Sequence, residues 1–171
     1  QHKLPVPDAI VIPVEVMSLF LSHNRLEKRA IAALETGSKR RLGSLQKTIL
    51  KGSLPEDLKV ALKLQARRLG LGIGSEGVAV RSSAIGEDGT THSFAGQYAS
   101  LLHVLDEKSL FQAIKTCWAS WFSESALAVR RKSSKDLNPC GMAVLIQRQI
   151  HARCAGVLFT INPLTGSWCE M

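Results

Sequence analysis

VAVRSSA at Val78–Ala84 and SFAGQ at Ser93–Gln97 are the two segments that decide the fold of this chain. Val78–Arg81 predicts a short strand that leads into a Gly-, Ser- and Thr-rich loop over 82–97. Arg81 would place a planar fork of donors at the start of that loop, and such a fork matches phosphate oxygens. Glycines let backbone N–H groups approach an anion closely. From the residues alone, a phosphate-binding loop and a polar surface loop with a salt-bridged arginine are both open.

Outward from this loop, hydrophobic periodicity predicts a mixed chain of helices and strands. Further strands are predicted at Ala9–Ile12, Tyr98–Val104, Met142–Gln149 and Gly156–Thr160. Helices are predicted at Val14–His23, Leu26–Glu35, Arg40–Leu50, Pro55–Leu69, Leu110–Trp121 and Ser123–Arg131. The motif Ser53-Leu54-Pro55-Glu56 has the form of a capping box. Trp118 and Trp121 fall on the apolar side of their helix, which predicts core packing for them.

Composition places the chain among ordinary globular proteins. It has 171 residues, of which 45% are hydrophobic and 21% charged, and a formal net charge of +8. No apolar run approaches the roughly 20 residues of a membrane span, and no signal peptide is recognisable. We therefore predict a cytoplasmic protein with free thiols and no membrane partner.

Basic residues are concentrated over 25–51, and the interpretation favoured here is a solvated helical face. No helix-turn-helix pattern and no aromatic-studded RNA surface accompany them, so no nucleic-acid partner is predicted. A basic nucleic-acid-binding protein stays open as an alternative, which steep salt dependence of binding would favour.

Two later segments are further candidates for a site. Met142–Ile150 (MAVLIQRQI) turns from apolar to polar, which is typical of a strand that ends in a cleft beside an adenine edge, and equally of a plain buried strand. Ala155–Gly166 combines a strand with an Asn-Pro turn. Neither a Walker A loop nor a GxGxxG fingerprint after a strand is present. The histidines and cysteines lack metal-ligand spacing, so no metal ligand is predicted within the chain.

Taken in order, these segments resemble the N-terminal ATP-binding domain shared by phosphoenolpyruvate synthase, pyruvate phosphate dikinase and rifampin phosphotransferase. Val80–Ala84 with Ser93–Gln97 resembles the family signature VRSSA…SFAGQ. Ala113–Arg130 resembles its helix AI..CWAS.F...A..YR. Met142–Gln149 and Gly156–Gly166 resemble MAV.VQ.M and GV.FT.NP.TG.

The resemblance implies an α+β ATP-grasp nucleotide-binding lobe, truncated at both ends, with a helical insertion over 14–69 before the phosphate loop. About 1–147 would form the first lobe, and about 148–171 the hinge and the start of the second. Arg81 is implied as the catalytic residue that contacts ATP phosphates. The other implied ATP-binding residues are Ser83, Ser93, Gly96 and Gln97 around the loop, and Gln147, Gln149 and Ile150 at the hinge beside adenine.

The implied activity is that of an ATP- and Mg²⁺-dependent phosphotransferase of the dikinase, pyruvate-water type. The phosphoryl group would pass from ATP to a carrier histidine on another domain of the full-length chain, and then to pyruvate or another acceptor. The family's Gly-Gly-Lys motif is expected before Gln1 and its acidic magnesium ligands after Met171, so this chain alone is expected to be inactive. The SFAGQ loop, and Ile161 where pyruvate phosphate dikinases tend to have arginine, argue against that member. A rifampin phosphotransferase-like enzyme and a non-catalytic nucleotide-binding module remain alternatives.

Overall fold

A four-stranded antiparallel sheet forms one layer of the molecule. The computed structural model describes residues 5–72, 74, 76–84, 98–133, 141–156, 161, 162 and 165, the side chains of 132 and 133 excepted. Within these ranges the strands are β1 (Ala9–Ile12), β2 (Val78–Ala84), β3 (Ser100–Val104) and β4 (Met142–Arg148). Their order in the sheet is β1-β4-β2-β3, so the last strand lies between the first two.

Helices form the second layer. Within the described ranges they are α1 (Val14–His23), α2 (Glu27–Thr36), α3 (Lys39–Lys51), α4 (Glu56–Arg68), α5 (Glu107–Ser120) and α6 (Glu124–Ser133). The first four connect β1 to β2 and form the predicted helical insertion. The predicted α+β class is therefore confirmed. The predicted strand over Gly156–Thr160 lies almost wholly outside the described residues.

The two faces of the sheet have different surroundings, because successive side chains of a strand point to opposite faces. Val78 and Val80 of β2, with Val144 and Ile146 of β4, are fully buried beneath the helices. Helix α5 contacts β2, β3 and β4 on this side, and α1 contacts β4. The opposite face, here called the open face, carries side chains such as Val11 and Leu102, which are 63% and 59% exposed.

Helix α5 connects the sheet to the outer helices. Trp118 is fully buried in its last turn, with its ring 5.0 Å from that of Phe20. Lys115 donates from Nζ to the carbonyl oxygens of Leu50 (2.8 Å) and Gly52 (3.2 Å). The C-terminal carbonyls of α3 would otherwise lack partners, so these bonds fasten α3 to α5. Partial burial, with a smaller contribution from Lys59, lowers the pKa of Lys115.

The end of β2 differs from the prediction that a loop begins at Ser82. The strand continues to Ala84, because β4 supplies partners as far as the Ala84–Met142 pair. Ser82 also donates from its backbone N–H and from Oγ to the carbonyl oxygen of Ala99, at 3.2 and 2.8 Å. Cross-strand pairing thus overrides the weak strand preference of serine.

The predicted capping box at Ser53 is wrong. Helix α4 begins at Glu56 without a side-chain cap, because Pro55 holds extended backbone (φ −53°, ψ 144°) just before it. The N–H of Ser53 instead donates to Asn24 Oδ1 at 3.0 Å. A capping box does start α5, where the Ser109 N–H donates to Asp106 Oδ1 at 2.8 Å and the Asp106 N–H donates to Ser109 Oγ. The hydrogen bonds from Ser109 lower the pKa of Asp106.

Free thiols are confirmed for Cys117 and Cys154. Cys117 is buried between α5 and the sheet, and this burial raises its pKa to about 12. The thiolate is the nucleophilic form, so Cys117 is a packing residue. Cys140 and Cys169 lie outside the described residues.

Candidate functional site

A groove of about 400 Å³ lies on the open face, where β2, β3 and β4 run side by side. Its lining brings together four predicted site residues: Arg81, Gln147, Gln149 and Ile150. Residues not predicted as site residues complete it: Pro7, Ala79, Ser100, Leu102 and Arg148. The phosphate-loop strand and the apolar-to-polar strand therefore meet at one concave surface.

Arg81 lies at the centre of the sheet, opposite Leu145 of β4 and Ser100 of β3. Its neighbour on the same face of β2, Ala79, is opposite Gln147, so Arg81 and Gln147 are diagonal neighbours. The side chain of Arg81 is exposed. No carboxylate of the described residues lies within ion-pair distance of it. The salt-bridged alternative therefore has no support in the described part of the chain, and the predicted loop residues after Ala84 lie outside that part.

Ser83 follows Arg81 on the same face of β2 and is exposed, opposite Ala143 of β4. It lies outside the lining of the groove. The predicted loop residues Ser93, Gly96 and Gln97 lie outside the described residues, so their roles stay predictions.

Backbone groups hold the polar end of β4 in place. Gln147 donates from Nε2 to the carbonyl oxygen of Pro7 at 3.3 Å. The backbone N–H of Gln149 donates to the carbonyl oxygen of Gly77 at 3.2 Å, and its Oε1 accepts from the N–H of His103 at 3.5 Å. Ile150, just beyond, is 56% exposed. An apolar surface beside fixed amide groups suits a flat ring whose edge needs hydrogen bonds.

The charge of the groove favours anions. Arg81 and Arg148 both line it, and none of its described lining residues is acidic. Arg148 is partly neutralised by Asp8, with Nη2 3.3 Å from Oδ2, whereas Arg81 has no ion-pair partner among the described residues. Mg²⁺ prefers carboxylate and phosphate oxygens. The described residues contain no group of three or more His, Cys, Asp or Glu side chains that could hold a metal ion, so they do not by themselves fit magnesium.

Ala79, Ser100 and Leu102 were missed by the sequence reasoning. Because side chains alternate between the two faces of a strand, Ala79 lies on the same face of β2 as Arg81. For the same reason Ser100 and Leu102 share one face of β3. That signal becomes useful only when the pairing of β2 with β3 is known. In addition, the pairing of β2 with β3 shifts register between Val78 and Val80, and the alternation of side chains does not predict this shift.

A buried arginine supports the segment that returns from the loop to β3. Arg130 is 8% exposed, and its Cζ lies 3.7 Å from the ring centroid of Trp121. It donates from Nη2 to the carbonyl oxygen of Trp121 at 2.7 Å and from Nη1 to the hydroxyl of Tyr98 at 3.3 Å. The Tyr98 and Trp121 rings stack at 6.0 Å. Tyr98 follows Gln97 directly, so this cluster fixes where the predicted loop ends.

Arg130→Lys is expected to lower the free energy of unfolding by about 1–2 kcal/mol. An ammonium group cannot stack on Trp121 and keep both hydrogen bonds at once, and bonds from a charged donor contribute about 1.5–3 kcal/mol each. Urea unfolding measures the change, with Arg68→Lys on the exposed side of α4 as the matched control. Equal urea midpoints for the Arg130 variant and the parent would show that the planar guanidinium of Arg130 contributes nothing to stability.

Comparison with known proteins now identifies the domain. The family model described as pyruvate phosphate dikinase, AMP/ATP-binding domain, matches residues 1–171. The chain belongs to this family. The resemblance predicted from the sequence is thereby confirmed, and the α+β architecture is that of a partial ATP-grasp nucleotide-binding domain.

Individual relatives come from several kinds of enzyme. The chain is 38% identical over 165 residues to the prodigiosin synthesizing transferase PigC of Serratia marcescens, covering 95% of this chain and 17% of that protein. It is 32% identical over 173 residues to phosphoenolpyruvate synthase of Aeropyrum pernix, covering 95% and 21%. It is 36% identical over 123 residues to rifampicin phosphotransferase of Streptomyces sviceus, covering 72% and 14%. The chain thus spans between 14% and 21% of the length of these relatives. Separately, no helix in the described ranges is long and apolar enough to cross a membrane.

Proposed function

We propose that the open-face groove is the part of an ATP site that this chain contributes. The observation that carries the proposal is Arg81, an exposed arginine with no ion-pair partner among the described residues, in the groove of an AMP/ATP-binding domain. The triphosphate lies against Arg81, and the adenine ring lies toward Gln147, Gln149 and Ile150. The division of the chain into a first lobe and a hinge at about 147/148 belongs to the same proposal.

Arg81 acts in this proposal by positioning and by neutralising charge. Its guanidinium forms a bidentate, charge-assisted contact with phosphate oxygens, and phosphoryl transfer depends chiefly on such contacts. Ser83 and the loop residues Ser93, Gly96 and Gln97 extend the contacts along the phosphates. Magnesium, when bound, supplies further neutralisation of phosphate charge. The described groove residues offer it no carboxylate, so its ligands would have to come from the phosphates of ATP and from residues beyond the groove.

For the full-length protein we propose ATP-dependent dikinase chemistry. A phosphoryl group passes from ATP to a carrier histidine on another domain, and from there to pyruvate or another acceptor. The phosphoenolpyruvate synthase relative supports pyruvate. The rifampicin phosphotransferase relative supports an antibiotic hydroxyl as the second candidate. The prodigiosin synthesizing transferase shows that similar domains occur in proteins named for other products, so this domain does not decide the acceptor.

Product analysis of the full-length protein tests this proposal. With ATP, Mg²⁺ and pyruvate, we expect ³¹P NMR to show AMP, inorganic phosphate and phosphoenolpyruvate in equal amounts, with water entering the phosphate. AMP and phosphate together with a phosphorylated rifamycin would assign the second candidate. ADP as the only nucleotide product would contradict dikinase chemistry, and ATP binding without turnover with any acceptor would favour the non-catalytic module. Arg81→Ala serves as the inactive control, because it removes the phosphate contact.

A further inference from the structure

A second positively charged surface lies on α2 and α3, and the open-face groove does not use it. A cavity of about 550 Å³ between the two helices is lined by Arg29, Arg40 and Arg41. An adjoining cavity of about 620 Å³ along α3 is lined by Lys39, Arg40, Lys47 and Lys51. Both share Arg40 and Ser44, so together they form one continuous concavity, here called the basic cleft.

The cations of the basic cleft are almost entirely without carboxylate partners in the described part of the chain. Lys39 forms one exposed ion pair, with Nζ 3.6 Å from Glu124 Oε2, and such pairs contribute little. Arg29 donates from Nη2 to two hydroxyls, Ser44 Oγ at 3.4 Å and Thr48 Oγ1 at 3.3 Å, which holds its guanidinium over the first cavity. Helix α3 contains no acidic residue. Like charges are therefore crowded here, and a bound anion would relieve their repulsion.

Gly43 is a separate observation that points to the same place. It lies in the interior of α3 and lines the second cavity, and a Cβ added there would meet nothing within 4 Å. Glycine is less favourable than alanine inside a helix, and no packing contact requires it here. Its effect is to keep the wall of the cavity open between Arg40 and Lys47. A glycine that destabilises the helix and leaves open space among cations is consistent with a ligand-binding surface.

The chemistry of the lining selects the ligand class. No aromatic side chain of the described residues lines either cavity, which disfavours stacking of single-stranded nucleic acid. Ala32 and Leu45 are the only apolar side chains of the described lining, too few for insertion into a membrane. Arginine forks match phosphate oxygens, and concave sites of this volume suit small ligands. We propose that the basic cleft binds a small oligophosphate, a ligand with two or more linked phosphate groups, either free or on a nucleotide.

This site is separate from the open-face groove. Helix α3 packs on α5, and α5 packs on the covered face of β2, so the sheet lies between the basic cleft and Arg81. The inference uses no residue of the proposed ATP site and does not rest on the proposed function. Its test can therefore be done in an Arg81→Ala background, in which the groove lacks the arginine proposed to contact phosphate.

The experiment is calorimetric titration of inorganic tripolyphosphate into the Arg81→Ala protein at about physiological ionic strength, where weak surface attraction is screened. We expect saturable binding of one ligand. The double variant Arg40→Gln/Arg41→Gln should weaken the affinity about tenfold or more. The matched control Arg68→Gln/Lys108→Gln removes the same charge from α4 and α5 and should leave it unchanged. Circular dichroism confirms that each variant is folded.

Gly43 gives a second readout that leaves every cation in place. Gly43→Glu should abolish tripolyphosphate binding, while Gly43→Ala should raise Tm by about 2 °C because it removes the helix penalty. A parallel ATP titration tells whether the ligand is a nucleotide or a free oligophosphate. If the Arg40/Arg41 variant loses as much affinity for ATP as for tripolyphosphate, the ligand is a nucleotide. If tripolyphosphate binds and ATP does not, the ligand is a free oligophosphate. The proposal would be overturned if both double variants lost the same amount of tripolyphosphate affinity, or if orthophosphate bound as tightly as tripolyphosphate. Displacement by a lower concentration of duplex DNA or of an acidic peptide would assign the cleft to a macromolecule instead.

Discussion

Trp118→Ala is expected to lower the free energy of unfolding by about 3–5 kcal/mol, the range for truncating a large buried aromatic side chain. Trp118 is fully buried in the last turn of α5, against Phe20 of α1. Truncation leaves a cavity beside Phe20 in the buried core, and the surrounding structure fills such a cavity only in part. The loss is therefore expected to affect the whole domain.

Urea unfolding followed by circular dichroism measures this change. Trp118→Phe is the matched variant, because it keeps a ring against Phe20 while removing an indole N–H that has no hydrogen-bond partner among the described residues. We expect it to cost less than half as much as the alanine variant. An alanine variant within about 1 kcal/mol of the parent would mean that the core repacks around the missing ring, contrary to this prediction.

Local elements were predictable wherever strong signals lie next to each other in the sequence. Ala9–Ile12 and Val14–His23 match β1 and α1 at both ends, because Pro13 separates a strand pattern from a helix pattern. The end of β2 was not predictable. Serine has a weak strand preference, and the partners that extend the strand to Ala84 come from β4, far along the chain.

The candidate site shows the same division between local and long-range information. Sequence motifs singled out Arg81 and Gln147, but periodicity does not encode the strand order β1-β4-β2-β3 that makes them neighbours. Ser100 and Leu102 were missed for that reason. The charges on α3 predict a solvated helical face, and Arg40, Arg41 and Lys47 are exposed in the structure. The concave surface beside them was not predictable, because it exists only once α2 packs against α3.

Arg81→Ala is expected to weaken ATP binding by tenfold or more, and Arg81→Glu by a larger factor. Charge-assisted hydrogen bonds contribute about 1.5–3 kcal/mol each, and 1.4 kcal/mol corresponds to a factor of ten in affinity. Glutamate adds repulsion between its carboxylate and the phosphates. Both variants should fold normally, because the Arg81 side chain is exposed and has no ion-pair partner among the described residues. Arg68→Ala, which removes an exposed arginine from α4, should bind ATP like the parent.

Titration of ATP into the parent, Arg81→Ala and Arg68→Ala proteins, with and without magnesium, shows whether Arg81 and the open-face groove belong to the ATP site. Thermal stabilisation and calorimetry can both follow it, since a ligand that binds only the folded state stabilises it by an amount that rises with the ratio of free ligand concentration to Kd. We predict ATP-dependent stabilisation of the parent and of Arg68→Ala that is lost or greatly reduced in Arg81→Ala. Equal ATP affinities in the parent and Arg81→Ala would contradict this prediction, and would remove Arg81 and the open-face groove from the ATP site.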